Sequence, residues 1–187
     1  MKILSKVASA MILSTGLLMA SSYSVDNAHS NVGFTVKHMM ITNVHGKFTS
    51  YDAKVEFDDA TKTFKKLVAN IDTNSIDTGI EKRDNHLRSD DFFAVEKFPK
   101  MTFEMTSYKA DGDDGKMTGN LTIRGITKPV VLEVEDISVL GDKVGFSIEG
   151  KINRQDFDLK WNKAIELGGV AVSDEVKIKV DIEAKKQ

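Results

Sequence analysis

The sequence predicts an all-β protein, an eight-stranded antiparallel β-barrel with an apolar lumen and one short helix between strands. Three observations predict it. Eight runs alternate apolar and polar residues with a period of two, the pattern of half-buried strands. Turn-forming clusters of Gly, Asp and Pro separate many of these runs, which makes sequential strands antiparallel neighbours. Helical periodicity is credible only over about 80–95, too little to cover eight apolar strand faces, so the sheet must close on itself.

The first element is a leader. Lys2 and Lys6 give a basic start, residues 3–20 are almost all apolar or small, and Ala20-Ser21-Ser22 offers the small residues that signal peptidase needs. The apolar stretch is short and broken by Ser5, Lys6, Ser9, Ser14 and Thr15, which favours a cleaved signal over a retained span. The expected organisation is therefore a secretory signal peptide over 1–22 and one barrel domain over 23–187. With 0 Cys, a disulfide framework, an iron–sulfur site, a thiol nucleophile and a lipidated cysteine are excluded, which points to a freely soluble periplasmic protein. The chain's formal charge is −2, and removing Lys2 and Lys6 with the leader takes it to −4. Nucleic acid is not an expected partner.

The strands follow in order: "NVGFTVKH" (31–38), "AKVEF" (53–57), "LVANID" (67–72), "MTFEMTSY" (101–108), "KMTGNLTIR" (116–124), "VVLEVEDISV" (130–139), "VGFSIEGKIN" (144–153) and "VKIKVDIE" (176–183). The sixth changes phase near Asp136, as a β-bulge would make it. Turns are expected at "DDATK" (58–62), "DGDDG" (111–115), "GITKP" (125–129) and "LGDK" (140–143). A sandwich would satisfy the same alternation, but consecutive short turns favour an up-and-down barrel, which also removes sheet edges. A weaker helical candidate lies near 161–167.

The inward face reads as Phe34, Val36, Val55, Phe57, Leu67, Ala69, Ile71, Phe103, Met105, Gly119, Leu121, Ile123, Leu132, Val134, Phe146, Ile148, Gly150, Val176, Ile178 and Val180. No carboxylate pair or histidine cluster is among them, so the lumen lacks the acid, base and nucleophile of transfer or hydrolytic chemistry. At eight strands such an interior is either filled by its own side chains or holds one small ligand. Ala69, Gly119 and Gly150 tilt the balance toward space. Strands of about ten residues, tilted near 40°, make a barrel roughly 25 Å tall, so a guest filling it would be a long chain. The expected ligand contacts are Phe34, Val36, Phe48, Leu67, Ile71, Phe103, Met105, Leu121, Ile123, Leu132, Val134, Phe146, Ile148, Trp161, Val176 and Ile178, with His38 and Met40 at the rim. No cofactor is expected. A second copy of the chain stands as a candidate partner in a homodimer.

Four polar motifs compete with this reading. "DGDDG" starts like a calcium loop, but Lys116 and Thr122 occupy the positions where an EF-hand has Gly and Glu. "NLT" (120–122) is a glycosylation triplet inside an expected strand. His38, Met39, Met40 and His45 are ligand types that suit Cu(I), which keeps a periplasmic metal-handling protein as the alternative. "RDNHLRSDDFF" (83–93) gathers charge before two phenylalanines. His86 and Asp90 fall on one helical face, yet two ligands do not make a metal site. The better reading is a lid: Asp84 and Arg88 form an exposed helix pair, Leu87, Phe92 and Phe93 pack across the barrel opening, and Arg83 and His86 meet a ligand's head group. A lipid-acting enzyme using these mouth residues is the remaining alternative.

"DNAHSNVGFTVKHMMITNVHGKF" (26–48), "KRDNHLRSDDFFAVEKFPKMTFE" (82–104), "GNLTIRGITKPVVLEV" (119–134) and "NRQDFDL" (153–159) resemble successive signatures of the YceI-like proteins. The resemblance implies a lipocalin-like antiparallel barrel, periplasmic in many members, whose elongated pore holds a polyisoprenoid or another long amphiphilic lipid. It implies no enzymatic activity. One position departs from the pattern: Asp158 stands where the family commonly has glycine, which puts the local turn in question.

Overall fold

Alternating apolar and polar residues build one continuous antiparallel sheet, and the sheet closes because its last strand pairs back onto its first. The computed structural model describes residues 20–164 and 170–187. Its strands are β1 (Ser21–Val25), β2 (Asn31–His38), β3 (Thr42–Phe48), β4 (Tyr51–Asp58), β5 (Thr63–Asp72), β6 (Ile76–Asp77), β7 (Lys100–Asp111), β8 (Asp114–Ile123), β9 (Ile126–Leu140), β10 (Lys143–Asn153) and β11 (Val172–Lys186). The one α-helix among the described residues, α1 (Glu81–Arg88), lies between β6 and β7.

Eleven segments make eight barrel strands. β1 and β2 pair in turn with the two ends of β11, while β4 pairs with β1 and β3 with β2. Thus β1/β2 form one barrel strand broken at 26–30 and β3/β4 the next, broken at 49–50. The remaining order is β5, β7, β8, β9, β10, β11. Each of the eight predicted runs falls in a different barrel strand, and the closed antiparallel barrel is the predicted fold. At the first break Asp26 accepts a hydrogen bond from the Ala28 amide at 2.9 Å, a local turn that competes with the sheet ladder. The expected bulge is present: Asp136 is left-handed at φ 58, and the β9–β10 register shifts there.

Other boundaries moved. The turn expected over 125–129 is confined to Arg124 and Gly125, both with positive φ, while Pro129 already pairs with Asn120 on an exposed face. The helix expected over 80–95 ends at Arg88; its C-cap Ser89 donates back to the His86 carbonyl, and the chain continues as turns through a left-handed Ala94. Of the weaker candidate at 161–167, residues 161–164 are not helical, Ala164 bridges to Val170, and 165–167 lie outside the described residues. Residues 1–19 of the expected leader lie outside them. The domain boundary expected at 23 falls inside β1, whose Ser21 and Ser22 pair with Phe57 and Glu56.

The antiparallel order gives the barrel two unlike ends. One carries the tight β4–β5, β7–β8 and β9–β10 hairpins; the other carries the β2–β3 turn, α1 and its following turns, the β8–β9 turn and the loop that leaves β10 at 154. The hairpin end is filled. Tyr23, Phe57, Phe64, Tyr108 and Phe146 form a chain of ring contacts with centroids 4.9–6.2 Å apart, and Met117, Val134, Ile137, Val144 and Ala184 are buried with them. Tyr23 donates to Asp59 at 2.5 Å, and burial, together with that carboxylate, pushes its phenol above the ordinary range. The interior is therefore a plug below and a cavity above, not a hollow of full barrel height.

A lidded apolar cavity

Above the plug the inward residues leave space between them. They line a cavity of about 220 Å³. That is many times the roughly 10–15 Å³ needed to hold a single water, far more than a packing void. Of the residues expected to contact a ligand, Phe34, Val36, Phe48, Leu67, Ile71, Phe103, Leu121, Ile123, Leu132, Phe146, Ile148, Val176 and Ile178 line it, as do Leu87, Phe92 and Phe93 of the lid. The wall is almost entirely apolar, so attraction for a guest comes from removing hydrocarbon from water, about 0.8 kcal/mol per CH₂ at most.

Seven expected residues lie elsewhere. Val134 has the right phase but sits in the plug, fully buried. Met105 is beside the β7 bulge, where the register shifts between Met105 and Ser107, and packs on the core from outside the cavity lining. His38 and Met40 are exposed at the β2–β3 turn, beyond the end of the lumen. Trp161 backs the lid: its ring lies 5.3 Å from Phe92 and 4.9 Å from His86. His86 itself pairs with Asp91 at 2.9 Å, and Arg83 donates to the Thr78 hydroxyl at 2.7 Å and carbonyl at 2.8 Å. Neither lines the cavity.

The expected Asp84–Arg88 pair does not form. Asp84 is buried and accepts the Thr78 amide at 3.0 Å, while Arg88 donates to the carbonyls of Asn74 at 2.9 Å and Ile76 at 2.8 Å. Both side chains thus fasten α1 to the segment before it. The end of the lid is fastened to the barrel: Arg124 Nη1 donates to the carbonyls of Asp90, at 2.9 Å, and Phe92, while Nη2 lies 3.6 Å from Asp158. Phe93 packs edge-on against Phe48, with ring centroids 5.8 Å apart.

Gly119 and Gly150, expected to create space, do something else. A Cβ on Gly119 would lie 2.3 Å from the Phe103 ring, and one on Gly150 2.4 Å from Leu132. The larger side chains lie across the glycines, flat against the wall, so the glycines are occupied.

Sequence reading missed Tyr51, Met101, Ile152, Leu159 and Ile182 in the wall, and Arg154 at its edge. Ile152 and Ile182 continue visible alternation; Arg154 carries no such signal. Its guanidinium is buried and donates to Ser173 O at 2.9 Å, Trp161 O at 2.9 Å and the Asp174 carboxylate at 3.1 Å, tying the 154–161 loop to β11. Burial lowers its pKa below the ordinary arginine range, and Asp174 opposes that shift. Asp158, the departure from the family pattern, keeps the turn: it adopts φ 61, ψ 20, a conformation aspartate tolerates better than most residues, and pairs with Lys160 at 2.8 Å.

The histidine–methionine cluster does not assemble, since His45 pairs with Thr35 at 3.0 Å on the outer face and His38 is exposed. Among the described residues Asp26, His29 and Glu183 do converge, but Asp26 already holds His29 at 3.0 Å and Lys143 holds Glu183 at 2.5 Å. The "DGDDG" motif forms the β7–β8 hairpin turn, with Gly112 at φ 65.

Residues 23–184 match the sequence model of the YceI-like domain. The chain belongs to the YceI-like family. It is 37% identical over 184 residues to Protein YceI of Salmonella newport, covering 95% of this chain and 93% of that protein. The crystal structure of the Campylobacter jejuni YCEI protein matches with a TM-score of 0.72 and 43% identity, over 88% of this chain and 98% of that one. Burkholderia cenocepacia BcnA matches with a TM-score of 0.76 and 28% identity, over 85% and 98%. A polyisoprenoid-binding domain from Saccharophagus degradans, 17% identical with a TM-score of 0.65 over 90% and 99%, shares the fold. In this YceI-like chain no helix among the described residues is long and apolar enough to cross a membrane.

Proposed function

We propose that this protein is a periplasmic binding protein that holds the chain of a long amphiphilic lipid, polyisoprenoid or fatty-acid-like, above the aromatic plug and beneath Leu87, Phe92 and Phe93. The observation that carries the reading is the cavity itself: about 220 Å³ of space walled by hydrocarbon, stopped at one end and lidded at the other. The polyisoprenoid-binding domain of the same fold offers a precedent for such an occupant. The role is carriage, storage or protection of the lipid rather than its conversion, because among the described residues no acid, base and nucleophile converge on the wall. Export through a leader over 1–22 would place the protein where such lipids cross between membranes.

The test is organic extraction of protein purified without detergent, followed by mass spectrometry. A long-chain lipid in near-stoichiometric amount is the expected result. Protein that yields nothing extractable, and takes up no fluorescent long-chain lipid after delipidation, would remove the reading.

A further inference from the structure

The β2–β3 turn is built against both of the usual preferences of a hairpin tip. Met39 and Met40 are left-handed, at φ 52 and φ 60, in a turn closed by Ile41 N donating to His38 O at 3.1 Å. Asn and Gly are the ordinary occupants of such positions because side chains crowd the backbone there. This turn also holds three successive apolar residues in solvent, with Met39 36%, Met40 63% and Ile41 83% exposed. A turn needed only for its geometry has cheaper sequences.

Its place and its charge say what it meets. It lies at the lidded end of the barrel: Val36, three residues before Met39, lines the cavity, and Met39 N donates to Ala171 O at 2.9 Å, next to the exposed Val170. In a chain with 28 acidic residues, 27–51 contain none, while Lys37 flanks the tip on β2 and Lys47 lies farther along β3. The carboxylates on the adjoining stretch of β11 are neutralised, Asp174 by Arg154 at 3.1 Å and Glu175 by Lys151 at 3.5 Å. Apolar side chains projecting from a basic surface suit the boundary of an anionic bilayer.

We infer that the Met39–Met40–Ile41 tip inserts into an anionic phospholipid surface and sets the lidded mouth of the barrel against the bilayer, where a lipid can pass between membrane and lumen. The transfer role rests on the lipid-binding reading; the docking does not.

Co-sedimentation with vesicles of phosphatidylethanolamine and phosphatidylglycerol tests it. The wild-type protein is expected to bind, and more weakly to neutral phosphatidylcholine vesicles or at high salt. Met40→Ser with Ile41→Ser should weaken binding by about tenfold or more. Lys37→Glu should weaken binding to the anionic vesicles alone. All three substitutions are on exposed side chains, and a circular-dichroism melt matching the wild type confirms that the fold is unaffected. Wild-type protein that stays in the supernatant, or a double variant that binds as well as the wild type, overturns docking. So does a wild-type dimer that the double variant converts to monomer without any vesicle binding, which would assign the patch to a second copy of the chain. Extracting the same samples separates the two readings: lumen lipid without vesicle binding defeats docking alone, and vesicle binding by a protein that never takes up lipid defeats the cavity reading alone.

Discussion

The guanidinium of Arg124, in the β8–β9 turn, donates a hydrogen bond to the backbone carbonyl of Phe92, the lid residue whose ring covers the cavity. A turn on the barrel wall thereby holds the lid by its main chain, independently of what the phenylalanine side chain touches. Hydrogen bonds to a charged group contribute about 1.5–3 kcal/mol each. Arg124→Ala should therefore speed escape of a bound lipid by roughly tenfold while the barrel stays folded, and a stopped-flow displacement assay with a fluorescent lipid measures it. Release unchanged from wild type would mean that the lid does not open at this edge.

The apolar side of the lid is separable from its polar face. Phe92→Ala with Phe93→Ala removes ring contacts to Trp161 and Phe48 and a part of the cavity cover, and should also accelerate release. Arg83→Ala with His86→Ala should leave head-group preference unchanged, because Arg83 is engaged with Thr78 and His86 with Asp91, outside the cavity. A clear change in selectivity among lipids of equal chain length would restore those two residues to ligand contact.

Gly119 is predicted to tolerate no side chain. Its missing Cβ is occupied by the Phe103 ring, so Gly119→Ala must push that ring into the cavity or bend β8. Overpacking of this kind costs about 1–3 kcal/mol. For a chain of this size that corresponds to a fall in melting temperature of roughly 3–10 °C. Gly112→Ala is no substitute control, since its φ of 65 strains any side chain; Thr118→Ser, its neighbour on the opposite face of β8, is the appropriate one.

His29 and Asp26 offer a pH test at the break between β1 and β2. Their hydrogen bond at 3.0 Å raises the pKa of His29 and lowers that of Asp26. The His29 contribution to stability is complete below its unfolded pKa, about 6.5, and is lost as pH rises through the raised folded value. The Asp26 contribution is present above about pH 3.9 and is lost as pH falls through its lowered folded value. His29 is exposed and Asp26 only half-buried, so the effect on global stability is small, and NMR titration of the His29 ring is the sensitive measurement. Asp26→Asn should return its midpoint toward the ordinary histidine range; an unmoved midpoint would show that the pair does not persist in solution.

Alternation along a strand reports which face a residue takes, and nothing about its height in the barrel. This is why Leu132 and Val134, two positions apart on one face, belong to the cavity wall and the plug respectively. It is also why His38, in phase with Phe34 and Val36, falls beyond the lumen once β2 ends. β3 escaped notice because Gly46 occupies one of its inward positions and leaves only Val44 and Phe48 to carry the pattern; the Phe34 ring lies where a Cβ on Gly46 would be. β1 is hidden because Ser21, Ser22 and Ser24 leave only Tyr23 and Val25 to carry the pattern. Buried arginines such as Arg154 give no periodic signal, since their partners are backbone carbonyls supplied by the folded loop.

The inside–outside assignment itself is tested on β11, where Ile178 and Lys177 take opposite faces. Ile178 stands between Gly150 of β10 and Phe34 of β2 and lines the cavity; Lys177 stands between Lys151 and Thr35, exposed. A carboxylate at 178 would face hydrocarbon on every side, so it must take up a proton, with a raised pKa, or draw water into the lumen. Ile178→Glu should therefore abolish lipid uptake at neutral pH, lower the melting temperature by roughly 5–10 °C, and recover part of both at acidic pH as the carboxyl is neutralised. Lys177→Glu replaces a lysine facing another lysine, Lys151, by an opposite charge, and its effect should stay within about 0.5 kcal/mol in either direction. Lipid uptake by fluorescence and thermal melts at two pH values measure both variants together. Equal losses from the two substitutions would mean that the wall of the cavity has been assigned to the wrong face of the strand.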